Sequence, residues 1–325
     1  MDIQIKSVNS FCSGIIDYAG LFPPAKLDLK TAFENYIRYK NSNYCSILSR
    51  FIIPAGLLNE LENLIDSLFV NERNILLSII PETGSAETSY YELLTNSLKA
   101  VRKFSIKFKE SVNAEVFEIK IPAEVIKNHK ESYTFEFSER VSDIVTQEIS
   151  ENSFIFLEGY LDGDWKSSLK KIINGINEHN LNKPNTGFKL RTGGVTPEMF
   201  PSSEQIAYSI KECIDRNVKM KCTAGLHHPF RHYDYELRTI MHGFINVFCA
   251  GLIAYRHNLS INGMKEIINE IDGNKFVFST DSFSWKDWKI SIDEIELARN
   301  NIMISFGSCS FDEPIADLKK LKLLL

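Results

Sequence analysis

Short apolar runs rich in Val, Ile and Phe recur along the chain at about thirty-residue intervals, and amphipathic stretches separate them. That alternation is the pattern of repeated βα units, in which each strand is buried on both faces and each helix on one. The runs predict strands at Cys45–Ile53, Ile75–Ile80, Glu115–Ile121, Ser153–Gly159, Gly187–Arg191 and Val218–Thr223. The intervening periodicity predicts helices at Leu57–Phe69, Tyr90–Phe104, Ser138–Ile149, Trp165–Glu178 and Ser203–Arg216, several opening with Ser or Asp in the first turn.

Six βα units call for two more strands to close a barrel. Gly243–Cys249 and Lys275–Ser279 are the candidates, although the first equally begins one long buried helix. Segment 17–24, DYAGLFPP, reads as an ordered loop before a helix at Thr31–Lys40. Phe276–Ile290 reads as a hairpin carrying Trp285 and Trp288, followed by a helix at Ile292–Asn300 and a turn-forming segment at 307–314. The expected fold is therefore α/β, a single-domain (β/α)8 TIM-barrel-like chain. Its βα repeats occupy 45–280, with an N-terminal extension (1–44) and a C-terminal extension (281–325). No internal repeat or low-complexity linker divides it.

Composition narrows the function classes. The 37 basic and 42 acidic side chains carry no long single-sign block, so neither nucleic acid nor an anionic membrane is expected as a partner. The densest basic stretch, Arg102 to Lys109, reads as a solvated helix end. The N-terminus lacks a basic region leading into an apolar run, and no 18-residue uncharged stretch occurs; Phe244 to Tyr255 is apolar but too short to span a bilayer. Six scattered cysteines form no CxxC pair, which fits reduced thiols in a cytoplasm. The absence of GxGxxG, P-loop, GxSxG and HExxH removes support from dinucleotide, ATP, serine-hydrolase and zincin readings.

Charges that fall within predicted strands are the candidates for chemistry, because a doubly buried strand should be continuously apolar. Arg50 lies in the first strand, Glu118 and Lys120 in the third, Glu158 at the end of the fourth, Lys189 and Arg191 in the fifth and Lys221 in the sixth. Lys189 and Arg191 share one strand face and precede Thr192-Gly193-Gly194, a combination suited to a phosphate or carboxylate. The competing reading is an ion pair of these cations with Glu158 or Glu118. Lys221 leads into Thr223-Ala-Gly-Leu-His-His-Pro229. It is a candidate Schiff-base former or electrophile if other cations depress its pKa, and otherwise a charged contact or a partner for a glutamate.

Glu118 and Glu158 are candidate proton shuttles, as are His227 and His228. The histidines are alternatively metal ligands with Glu118, Glu158, His232 or His242, His227, His228 and Glu158 being the preferred set; no defined zinc motif is present, and no cofactor is expected on the leading reading. His242 and Asn246 share one face of a helix or strand and are candidate substrate contacts, or structural hydrogen-bonding groups. Asp17 and Tyr18 read as anchors of the N-terminal loop. Cys309, between Ser308 and Ser310, has no base assigned by sequence.

The blocks DYAGLFPPA (17–25), KLRTGG (189–194), TAGLHHP (223–229), HGFIN (242–246) and GSCSFDEP (307–314) resemble those of an uncharacterised bacterial family. That resemblance spans the chain; it implies that both ends belong to the same domain and implies no activity. FKLRTGG and MKCTAGL also resemble the lysine-bearing strands of class I aldolases of the deoxyribose-phosphate type, which implies lysine chemistry; Arg191 and the His227-His228-Pro229 segment depart from that pattern. The expectation is a lyase or isomerase acting on a small anionic metabolite. Lys189, Arg191, Arg50, Thr192, Gly193, Gly194, His242 and Asn246 would bind it, while Lys221, Glu158, Glu118, His227 and His228 carry the reaction. A metal-dependent hydrolase or lyase and a non-catalytic metabolite-binding protein are the alternatives. A homo-oligomer is compatible with all three.

Overall fold

The recurring apolar runs are realised as parallel strands. In the computed structural model, which describes residues 5–84, 87–127, 130, 132–159, 161 and 163–324, thirteen strands are found among those residues. They are β1 (Ile16–Tyr18), β2 (Leu48–Pro54), β3 (Ile75–Ile80), β4 (Val112–Lys120), β5 (Phe154–Glu158), β6 (Thr186–Arg191), β7 (Met220–Thr223), β8 (His232–Asp234), β9 (Thr239–Met241), β10 (Phe276–Phe278), β11 (Ser282–Trp285), β12 (Trp288–Ser291) and β13 (Met303–Ser308). Eight of them close a barrel in the order β1-β13-β7-β6-β5-β4-β3-β2. With helices following most of these strands, this is the (β/α)8 arrangement that the thirty-residue spacing predicts.

The six predicted barrel strands are all present; Ile75–Ile80 coincides at both ends, and no end of the others is shifted by more than three residues. The two closing strands are elsewhere. Gly243–Cys249 is not a strand: Phe244–His257 is a helix whose first eleven residues are all buried, and an apolar run carries no period to separate the two states. Lys275–Ser279 contributes β10, which belongs to a three-stranded antiparallel sheet with β11 and β12 outside the barrel. The closing strands are β1 and β13, from segments that the sequence suggested were extensions. β1 is three residues long, shorter than any pattern of alternation can announce. Its register on β13 is Ile16 to Phe306, Asp17 to Gly307 and Tyr18 to Ser308.

The chain forms two compact units, and each is described by itself. One takes the chain up to Tyr18, Tyr39–Ser49 and the stretch from Leu190 onward; the other takes Ala19–Arg38 and Arg50–Lys189. In the first, Phe306 of β13 stacks on Phe244 of the helix Phe244–His257, with ring centroids 5.4 Å apart, and Tyr18 of β1 meets Tyr39 edge-on at 5.2 Å. Because strand side chains alternate, Ser305 and Asp17 point to the opposite face, away from the helices. Helix starts in this unit are set by sequence: Ser202 with Gln205 and Ser291 with Glu294 each form a reciprocal capping box.

In the second unit, Phe51, Leu77, Ile79, Phe117, Ile119, Ile155 and Leu157 are fully or almost fully buried. Glu118 and Glu158 are buried in the same strands. No helix among the described residues is long and apolar enough to cross a membrane.

Candidate functional site

Three charged clusters lie on or just beyond the barrel strands. In the second unit Lys189 of β6 is bracketed by two carboxylates: Nζ lies 2.6 Å from Glu158 Oε2 and 2.8 Å from Glu118 Oε2. Ser78 of β3 donates its hydroxyl to Glu118 Oε1 at 2.7 Å. Burial opposes a charge on Lys189, but the two carboxylates outweigh it and hold the ammonium above its ordinary pKa. This is the ion-pair geometry among the sequence alternatives. It also corrects the anion-site expectation for Lys189, whose charge is already met by two glutamates.

In the first unit Lys221 of β7, its side chain fully buried, donates to Asp17 Oδ2 of β1 at 2.7 Å. Ser305 of β13 donates to the same oxygen at 2.6 Å. Three strands thus contribute one residue each to a buried amine and carboxylate pair. A buried ammonium is tolerated only with such a partner, since desolvating an unpaired charge costs several kcal/mol, on the order of the stability of a domain. Sequence reading treated Asp17 as an anchor and missed Ser305. An acidic residue inside the run Ile15-Ile16-Asp17-Tyr18 was the available signal.

Thr192-Gly193-Gly194 after β6 and Thr223-Ala224-Gly225 after β7 form two turns that clasp each other. Thr192 Oγ1 donates to the Ala224 carbonyl at 2.6 Å and lies 3.2 Å from that of Thr223. Ala224 and Gly225 both take positive φ, 64° and 76°. A Cβ on Gly193 would stand 2.7 Å from Gly225 Cα. Gly193 and Gly225 are therefore required for backbone to touch backbone. Arg191, half-buried, ends β6 beside this clasp, and Arg50 is half-buried in β2 of the other unit.

No family model matches the chain, and no curated protein does. Among solved structures, a native Bacteroidetes-affiliated GH5 cellulase linked with a polysaccharide utilization locus aligns at 10% identity and a TM-score of 0.39, over 93% of this chain and 84% of that one. XacCel5A aligns at 8% identity and 0.41, over 78% and 86%. The catalytic module of a family 98 glycoside hydrolase from Streptococcus pneumoniae TIGR4 aligns at 8% and 0.39, over 72% of this chain and 42% of that module. Likenesses of this depth say nothing about this chain's chemistry.

The histidines divide by role. His242 and Asn246 serve the fold. His242 Nε2 donates to the Pro201 carbonyl at 2.7 Å. Asn246 donates to the carbonyls of Ile267 and Glu270 at 2.9 and 2.8 Å and accepts from the Arg231 amide at 2.9 Å. Burial, together with the nearby Arg231 charge, pushes His242 down to about 4, so it is neutral at physiological pH. These contacts realise the structural alternative for HGFIN rather than the substrate-binding one.

His228 Nδ1 pairs with Asp317 Oδ2 at 2.6 Å, and its ring meets that of His232 edge-on at 4.7 Å. His227 Nδ1 lies 3.2 Å from Glu313 Oε2, with Cys309 Sγ 3.9 Å from the same nitrogen. Among the described residues no group of three His, Cys, Asp or Glu side chains is gathered to hold a metal ion. The ligand set His227, His228 and Glu158 is accordingly not assembled.

Proposed function

We propose that the protein is an enzyme of the lyase or isomerase type that acts on a small carbonyl compound bearing a carboxylate or phosphate. Lys221 is the amine that condenses with the carbonyl. The observation that carries this reading is the Lys221–Asp17 pair: a fully buried amine on a barrel strand, in direct contact with a carboxylate able to carry its protons.

In the condensation the Lys221 nitrogen forms a bond to the carbonyl carbon, and the carbonyl oxygen departs as water. Both protons of that water come from the ammonium, by way of Asp17, and the nitrogen keeps one proton as an iminium. Ser305 fixes the carboxylate while it gains and loses the proton. Arg191, at the end of β6 in the same unit, is the cation assigned to the acidic group of the substrate.

Borohydride reduction in the presence of glycolaldehyde, glyceraldehyde 3-phosphate or pyruvate tests the reading. A mass increase on the peptide carrying Lys221, absent in folded Lys221→Arg, is the expected result. Wild-type protein that acquires no adduct at Lys221 with any of the three overturns the lysine-centred mechanism.

A further inference from the structure

The cysteines of this chain are chemically unlike one another. Burial pushes Cys12 and Cys222 up to about 12, and Cys213 and Cys249 well above the ordinary thiol value, which makes all four inert. Cys45 is exposed. Cys309 is placed differently, immediately after β13, where that strand gives way to the helix Asp312–Lys320.

The turn that carries Cys309 is held on both sides. Ser308 Oγ donates to the Ser310 carbonyl at 2.6 Å, and Ser310 Oγ accepts from the Glu313 amide at 3.2 Å. The side chain of His227, from the loop after β7, reaches this turn. Cys309 Sγ lies 3.9 Å from His227 Nδ1 and 4.0 Å from Nε2, while Glu313 Oε2 lies 3.2 Å from Nδ1. A thiol, an imidazole and a carboxylate that orients the imidazole are the parts of an activated nucleophile. They come from two neighbouring strand ends and one helix start.

We infer that Cys309 is a nucleophile with His227 as its proton partner and Glu313 as the group that positions His227, forming a site that takes small carbon electrophiles. The Cys309 proton passes to His227, and the sulfur lone pair forms a bond to the electrophilic carbon. With an alkyl halide, halide leaves with the bonding pair. With an aldehyde, the π pair moves to oxygen and His227 returns the proton, so neither a leaving group nor a redox partner is needed. Burial opposes a charge on His227, yet contacts with Cys309 and Glu313 outweigh it and raise the imidazole to about 9. The raised imidazole is the stronger base that taking the Cys309 proton requires.

This site is independent of Lys221, and its test reads sulfur alone. Iodoacetamide is applied at pH 7 to the full chain, and alkylation of each cysteine is followed by peptide mass; thiolate absorbance at 240 nm is recorded on the same proteins, with Cys309→Ser as the blank. Cys309 is expected to react at least tenfold faster than Cys45. His227→Asn should lower that rate at least tenfold, and Glu313→Gln should lower it less. The Cys309-dependent absorbance should be present in wild type and absent in His227→Asn, a readout that does not depend on reagent access. Absence of that absorbance in wild type, or an alkylation rate unchanged by His227→Asn in protein of native circular dichroism, overturns the assignment.

Discussion

Thr192 gives its hydroxyl hydrogen to the carbonyl oxygen of Ala224, 2.6 Å away, and so ties the turn after β6 to the turn after β7. The bond spans two segments in which Ala224 and Gly225 adopt left-handed backbone, and Gly193 lies against Gly225. Thr192→Val retains shape but removes the donor, and its expected cost is about 1–2 kcal/mol. Gly225→Ala adds a Cβ that meets Gly193 Cα at 2.8 Å and the Thr192 carbonyl at 2.9 Å, so its cost should exceed that of Thr192→Val, at roughly 2–4 kcal/mol. Urea denaturation of the two variants checks the order; a neutral Gly225→Ala refutes the close approach.

Lys189 serves two carboxylates at once. Lys189→Met takes this ammonium away from two buried carboxylates and is expected to destabilise by about 3–5 kcal/mol. Glu158→Gln leaves Lys189 paired with Glu118 and should cost clearly less. Thermal melts of both variants decide the point. Equal losses mean that the second carboxylate matters as much as the ammonium.

Asp17 and Lys221 form a pair whose members should not behave additively. Asp17→Asn removes the carboxylate that a buried ammonium contacts directly, at a cost on the order of 3–5 kcal/mol. Removing both charges in Asp17→Asn/Lys221→Met should restore part of that loss, because the penalty comes from a buried charge that has lost its carboxylate rather than from the missing bond. Stabilities of the two single variants and the double variant, compared as a cycle, give the coupling directly. A coupling near zero contradicts the ion pair.

His242 predicts a loss of stability in acid. Its folded value is about 4 against an ordinary 6.5, so between these values the unfolded chain binds the proton and the folded chain does not. Its contribution is therefore complete above pH 6.5 and is lost as the pH falls toward 4. The size is on the order of 3 kcal/mol, from about 1.4 kcal/mol per pKa unit. The difference in urea midpoint between wild type and His242→Gln should narrow over that window; a difference independent of pH rules out a neutral buried His242.

The barrel was legible because its middle six strands are doubly buried and their apolar runs are separated by amphipathic helices, a signal long enough to count. Its closure was not. β1 is three residues and contains Asp17, so neither hydropathy nor length marks it, and β13 carries Ser305, Gly307 and Ser308 among its six residues. The anomalous charges were equally legible: Glu118, Glu158, Lys189 and Lys221 are all buried in strands. Their partners were partly legible. Sequence offered Glu118 or Glu158 as counter-ions to Lys189, and these are the ones found, but the partner of Lys221 depends on which strand lies two places away in the sheet. Cys309 went without a base for the same reason: His227 stands 82 positions from it in the chain.

The pairing of β1 with β13 sets the order of events during synthesis. Asp17 and Ser305, hydrogen-bonded across that seam, are 288 positions apart. At ribosomal rates of about 5–20 residues per second, the first strand emerges roughly a quarter of a minute to a minute before its partner exists. Throughout that interval the nascent chain exposes an unsatisfied strand edge, and the carboxylate that will neutralise Lys221 has no serine to hold it. Chaperone dependence in this protein should therefore track translation of the final segment, and slowing the ribosome upstream of residue 303 should lengthen the period in which the nascent chain is prone to misassembly.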